Sequence, residues 1–262
     1  VSDREIDAMV IAHDLPTTRL IHSMAKLMLQ KYDLAKPELH KDNLRELTFL
    51  NHHGRIILDT ANNKFAGTGA TPQYLHASEV AKWEIGSQTA ISLFQSVAKR
   101  PGTAIVIEST ANGYDALFHP MWKAASENCE IEFEQRVDAS FKKRWRVRDV
   151  KIKDREAWNY YYPVFVGVLD DPECYVEFAD DADRQQFAAS LTTEEKEILE
   201  HHKDQGCNLQ YLNYRRFTLK SDCQGDIEIY HQEHPEEPEH AFLASGRPRF
   251  NRERLSKMQI ER

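Results

Sequence analysis

A glutamate that follows a short apolar run is the first place to look for chemistry. Gln73-Tyr74-Leu75-His76-Ala77 reads as a buried strand that runs into Ser78 and Glu79. Parallel α/β sheets bind ligands at the carboxyl ends of their strands. A carboxylate there can take a proton from a water that attacks a γ-phosphate, and it can help hold Mg²⁺. A helix cap or a plain surface glutamate would have the same local pattern. A second group, Glu108-Ser109-Thr110-Ala111-Asn112-Gly113, closes the next apolar run. Its hydroxyls and amide can hydrogen-bond a phosphate or an ordered water without adding charge, and Gly113 lets the backbone turn. An ordinary strand-to-helix turn has a similar composition.

These residues need a sheet to position them. Ala8-Met9-Val10-Ile11-Ala12 is apolar without interruption, as in a buried parallel strand, and His13-Asp14 follow it. Pro16-Thr17-Thr18 opens a helix in which Leu20, Ile21, Met24, Leu27 and Met28 recur at helical spacing. Residues 46–50 and 55–58 read as strands of a hairpin about Asn51-His52-His53-Gly54. Residues 61–72 read as loop, 87–99 and 117–125 as helices, and 104–107 as a strand. Strands and helices that alternate with short turns predict a parallel α/β sheet. A right-handed β-α-β connection would put Glu79 and Asn112 on one edge, near one pocket.

Beyond residue 128 the pattern changes. Residues 131–133 and 160–168 look like strands, and helices follow from Thr192, through Leu209 to Arg216, and around Pro235 and Pro238. Between the two strand candidates, Lys142, Lys143, Arg144, Arg146, Arg148, Lys151 and Lys153 flank Trp145. Interleaved cations and an aromatic can hold phosphates and stack on bases. Alternation would place Arg144, Arg146 and Arg148 on one strand face. A charged, solvated edge strand is the plainer reading. Arg215 and Arg216 are expected on a helix, one reaching nucleotide or a neighbouring subunit and the other pairing with an acid.

Composition sets bounds. The 262 residues are 41% hydrophobic and 29% charged, with a formal net charge of −8. That suffices for one sizeable core, or a core with a small subdomain. A protein that grips DNA over its whole surface is usually basic, so any DNA contact here is expected to be local. No apolar run approaches the roughly 20 residues of a membrane span. Cys129, Cys174, Cys207 and Cys223 stand far apart without a CxxC pair and read as free thiols. The His pairs 52–53 and 201–202 lack tight ligand spacing, and no metal site is expected from it. No GxxxxGK[ST] phosphate loop occurs.

His76-Ala77-Ser78-Glu79-Val80-Ala81-Lys82-Trp83 resembles the Walker B segment of tailed-phage large terminase subunits. Glu108 to Gly113 resembles their coupling motif, Val10 to Asp14 the strand and turn after the Walker A helix. Tyr214-Arg215-Arg216 and residues 232–246 resemble the lid and linker. The resemblance implies a RecA-like P-loop NTPase fold, a three-layer sandwich with a mostly parallel sheet. On this view residues 1–160 are the ATPase core without its phosphate-loop unit, which is expected upstream of Val1. Residues 161–249 are a lid and linker subdomain, and residues 250–262 begin the linker to an absent nuclease domain. It implies Mg²⁺ and ATP, hydrolysis coupled to packaging of double-stranded DNA, a homo-oligomeric ring, and portal and small terminase partners. The setting implied is host cytoplasm and, transiently, the procapsid. Carried over, Glu79 is the catalytic glutamate, and Ser78 stands where many such ATPases have a Mg-associated Asp. Ser109, Thr110 and Asn112 would couple the nucleotide state to movement, and Arg215 and Arg216 would be lid arginines. Thr68-Gly69 stands where an Arg-Gly finger is often found, with Lys64 or Arg55 as substitutes. A helicase-like translocase and a non-catalytic docking module are the competing readings, and the fragment alone is expected to be inactive.

Overall fold

A computed structural model describes residues 6–31, 38–50, 54–63, 66, 69, 71–84, 87–137 and 143–243. At 87–89, 135–137, 143–144 and 243 it describes the backbone alone. The chain forms two compact units. One runs through Thr110 and includes Ala116–Phe118; the other comprises Ala111–Asp115 and the residues from His119 onward.

The first unit is built on a six-stranded sheet. In chain order its elements are β1 (Asp7–Ala12), α1 (Leu15–Lys31), β2 (Leu39–Asn43), β3 (Glu46–Phe49), β4 (Arg55–Thr60), β5 (Tyr74–Ser78), α2 (Ser87–Gln95) and β6 (Ala104–Glu108). The strand order is β2-β3-β4-β1-β5-β6. β4, β1, β5 and β6 run parallel, and β2 and β3 add an antiparallel edge. The mostly parallel sheet expected from the apolar runs is therefore present. Met9, Ile11, Leu47, Leu58, Leu75 and Ala77 are buried in it. Each larger aliphatic side chain so buried stabilises by about 1.5–3 kcal/mol.

The structure departs from the sequence pattern at three places in this unit. The apolar stripe of α1 does not face the sheet: Leu20, Met24, Leu27 and Met28 are exposed, while Thr18 and His22 are buried. The cause lies at the helix start. Asp14 accepts from the Thr17 amide at 2.9 Å, and Thr18 Oγ1 donates to the carbonyl oxygens of Asp14 (2.8 Å) and Asp59 (3.2 Å). This seats the Thr18 side against β4 and fixes the rotation of the helix. α2 ends at Gln95, short of the expected 99. β2 was unexpected, because Leu-His-Lys-Asp-Asn has no apolar face and all five residues are exposed.

The second unit holds α3 (Phe118–Asn128), a hairpin of β7 (Cys129–Val137) and β8 (Lys143–Ile152), and a helical part. The helices are α4 (Asp181–Ala189), α5 (Thr193–His201), α6 (Leu209–Ser221), α7 (Ile227–Glu233) and α8 (Pro238–Leu243). The acidic run Asp180-Asp181-Asp183 is a cap and first turn, since the Asp180 side chain accepts from the Asp183 amide at 2.8 Å. Thr192 and Glu195 form a reciprocal cap on α5. Val168, Cys174, Cys207, Tyr211 and Leu212 form the helical core. Residues 160–168 are not a strand. Tyr160 has φ 66°, Pro163 has no amide to donate, and Tyr160, Tyr162, Val164 and Val166 are exposed. The four cysteines are free and buried, and burial pushes each thiol up, Cys207 to about 11.

Candidate functional site

Parallel pairing aligns the carboxyl ends of β1, β5 and β6. Ile11 lies beside Ala77, and Ser78 beside Glu108. Ser78 is buried at the end of β5, and its carbonyl accepts from Trp83 Nε1 at 2.9 Å. Trp83 in turn meets the Phe94 ring of α2. Glu79 follows in the left-handed region, φ 56° and ψ 44°. A side chain there costs about 1–2 kcal/mol, and such strain gathers at functional sites.

The Glu79 carboxylate is held from two sides. Its Oε2 accepts from Thr110 Oγ1 at 3.2 Å and lies 3.0 Å from Lys82 Nζ. Ser109 Oγ accepts from the Ala81 amide at 3.1 Å and donates to the Thr110 carbonyl at 2.7 Å. The two sequence groups are therefore tied together by side chains, Glu79 to Thr110 and Ser109 to Ala81. Behind them His76 lies 3.2 Å from Glu108, and this bond, with help from Ser78 and the Glu79 backbone, holds the Glu108 carboxyl below its usual range. Asn112 belongs to the second unit.

Two residues at this edge were overlooked. Asp14, just past β1, is held below the usual carboxylate range first by its bond from the Thr17 amide and also by the charges of His13 and Lys82. Lys82 supplies the cation beside Glu79. The available signal was position: both stand within four residues of a strand's carboxyl end. The edge thus offers the carboxylates of Glu79, Asp14 and Glu108, the hydroxyls of Ser109 and Thr110 and the Lys82 ammonium, a set able to orient a water and accept its proton.

The arginines of α6 are already paired with acids. Arg215, whose side chain is 5% exposed, donates from Nη2 to Glu194 at 2.8 Å and from Nε to Glu236 at 3.2 Å. Arg216 donates from Nη2 to Glu195 at 2.6 Å and to the Ser190 carbonyl at 3.0 Å. Arg55 stands at the amino end of β4 in a two-pronged pair with Asp7. Lys64 and Thr68 lie outside the described residues.

Glu236 sits at the centre of the helical unit with its side chain 2% exposed. His240, Tyr211, Arg215 and His231 offset the cost of its burial and hold its pKa at about 2. An unfolded glutamate protonates near 4.5, so this stability is complete above that pH and is lost as pH falls towards 2. A shift of that size corresponds to about 3 kcal/mol. Acid unfolding of wild type is therefore expected to steepen below pH 4.5. In Glu236→Gln, urea melts across pH 2–5 should show a weaker dependence.

The basic stretch forms β8, in antiparallel register with β7. Lys142 lies outside the described residues, and Lys143 and Arg144 are described by backbone alone. The alternation of Arg144, Arg146 and Arg148 is broken. Val147 pairs with Phe133 and Asp149 with Glu132, which leaves Arg148 as the extra residue of a β-bulge. Arg146 opposes Glu134, Lys151 pairs with Glu132, and Lys153 lies 3.6 Å from Glu130. Trp145 is 62% exposed, and Phe133, Val147 and Val150 are exposed as well.

A mostly parallel sheet with a left-handed glutamate at its strand ends defines an α/β domain, and those strand ends are the candidate site. No family model matches the sequence, and no curated protein does. Among solved structures the chain is similar to the large terminase ATPase domain of Thermus phage P74-26. An arginine-to-alanine variant of that domain matches at 16% identity and TM-score 0.37, over 46% of this chain and 53% of that one. A second structure of the domain matches at 15% and 0.36, over 46% and 52%. The chain thus spans about half the length of those domains. Among the described residues, no helix is long and apolar enough to cross a membrane.

Proposed function

We propose that the chain is part of a DNA-packaging motor of the large terminase kind, in which hydrolysis of Mg-ATP drives double-stranded DNA into a procapsid. The observation that carries this is the left-handed Glu79 at the end of β5, with Thr110 of the next strand end on its carboxylate. Glu79 would orient a water and take its proton. Thr110 and Ser109 would register the change at Glu79 and pass it along the chain to Asn112. Ser78, in the place of a metal-associated aspartate, would leave Mg²⁺ to be held largely by the phosphates. Docking to a portal and a small terminase subunit, and assembly as a ring, belong to the same proposal.

The residues present fit only part of a nucleotide site. Among the described residues they supply a base, hydroxyls and a cation, but no run of backbone amides with a lysine to cradle phosphates. Among the described residues no strand pairs with the outer edge of β6. An additional strand carrying a phosphate loop could join the sheet there.

The test is turnover of Mg-ATP by this chain beside Glu79→Gln. Background rates in both are expected, because phosphate affinity is missing. Turnover that disappears in the variant would confirm Glu79 and refute the claim that a phosphate loop must be added. Turnover that survives in the variant would remove Glu79 from the chemistry and sink the proposal.

For DNA, the reading assigns phosphate contacts to Arg146 and Arg148, with Lys142, Lys143 and Arg144 from the same stretch. Each lost contact lowers the salt slope of log K by about 0.9. Arg146→Ala with Arg148→Ala is therefore expected to weaken duplex binding uniformly and to flatten that slope by about 2. Filter binding over a salt series would show it, and an unchanged slope would remove the hairpin from the interface.

A further inference from the structure

We propose that His231, Glu236 and His240 form a binding site for a divalent transition metal, best matched by Zn²⁺. His231 lies on α7, His240 on α8, and Glu236 in the loop between them. One ligand atom from each lies within 4.8 Å of the other two. His240 Nδ1 stands 3.4 Å from Glu236 Oε2, and His231 Nε2 stands 3.9 Å from the same oxygen. Around one Zn²⁺, with ligand bonds of about 2.0–2.2 Å, neighbouring donors lie ~3–4 Å apart. The rings of His231 and His240 are stacked, 4.3 Å between centroids.

The independent observation is an unmet bonding need. Glu236 is buried, and its Oε2 makes no hydrogen bond; His240 Nδ1 is likewise buried without a hydrogen-bond partner. The 3.4 Å between them is an ion-pair separation without hydrogen-bond geometry. The histidines face that buried oxygen at ion-pair distance, but no donor hydrogen-bonds it. A cation between the two rings and the oxygen would satisfy it. The other oxygen, Oε1, accepts from Tyr211 Oη at 2.7 Å and from Arg215 Nε at 3.2 Å, so the carboxylate is oriented from behind. Such outer partners are the usual companions of metal-ligating carboxylates.

The donor set selects the kind of ion. Two imidazoles and one carboxylate suit zinc, whereas Mg²⁺ and Ca²⁺ favour oxygen throughout. His231 and His240 are both part-exposed, leaving a fourth position within reach of water. A nearby second group, His201, His202 and Glu237, is the weaker candidate. His201 is exposed, and its Nε2 is already 2.9 Å from Glu237. The proposed ion would pin α7 to α8 and both to α6, through the loop Pro235–Pro238 that the sequence shows only as Pro-Glu-Glu-Pro.

The experiment is equilibrium dialysis of the chelator-stripped chain against Zn²⁺, with metal counted by mass spectrometry. About one ion per chain is expected, with a rise of several degrees in Tm. His231→Gln and His240→Gln should lose both, and His201→Gln should keep both. No uptake by wild type, uptake unchanged in the first two variants, or uptake lost only in the third would each overturn the proposal. Should a variant fail to fold, Co²⁺ titration of wild type decides. A visible absorption band that added Zn²⁺ abolishes is expected, and its absence overturns the site.

Discussion

Arg215→Ala is expected to destabilise the helical unit by about 3–5 kcal/mol, the cost of breaking a buried ion pair from one side. The guanidinium lies between Glu194 and Glu236 and also over the Tyr230 ring, 5.4 Å from its centroid. Glu236 shares its Oε1 with Tyr211, whose hydroxyl lies 3.2 Å from that of Tyr230. Without the arginine, a carboxylate that is 2% exposed loses its permanently charged partner. Arg215→Lys should recover little, because one ammonium cannot reproduce two divergent guanidinium bonds. Arg215→Ala with Glu236→Gln should be milder than Arg215→Ala alone, since the stranded charge is gone. The neighbouring Arg216→Ala should cost only about 1 kcal/mol, because that side chain is 34% exposed and screened by solvent. Urea melts of chelator-treated protein check the series. A loss below about 1 kcal/mol for Arg215→Ala would show that Glu236 is compensated elsewhere.

Glu79 gives two readouts that separate chemistry from architecture. In a form of the protein that carries a phosphate loop, Glu79→Gln is expected to lower the hydrolysis rate by about 10²–10⁴-fold. ATP binding should persist, since the amide keeps the shape and loses only the base. The backbone readout needs no activity. At most positions glycine is less stable than alanine, but at φ 56° the order should reverse. Glu79→Gly is expected to be about 1 kcal/mol more stable than Glu79→Ala, both having lost the same carboxylate. Thermal melts compare them directly. Alanine equal to or above glycine would mean that the backbone at Glu79 is not strained. A reversed order together with lost turnover would show stability given up to aim a carboxylate.

The ends of β5 and β6 were legible because mostly apolar runs stop at polar residues, a signal that survives without knowledge of packing. Their side-chain link was not, since Thr110 reaches Glu79 only once the parallel register sets Ser78 beside Glu108. The buried face of α1 was not legible, because its apolar residues outnumber the ones that anchor it. Two hydroxyl bonds from Thr18 decide the rotation, and periodicity cannot weigh those. β2 escaped because a fully exposed strand has no apolar face to betray it. Tyr160 to Val168 alternates as a strand should, yet lacks a partner ladder. The histidine and glutamate cluster was invisible for a similar reason. Its ligand spacing, H-x4-E-x3-H, bridges two short helices and resembles no compact metal motif.

The outer edge of β6 has a further meaning. A strand bonded on one side only donates every second amide to its neighbour and leaves the others facing solvent. Deuterium uptake along Ala104–Glu108 should therefore alternate, slow and fast, residue by residue. Whatever segment pairs there would slow the fast set and leave the slow set as it was. The edge is in that sense a gauge built into the sheet: the exchange pattern of five residues would report whether a further strand is in place beside β6.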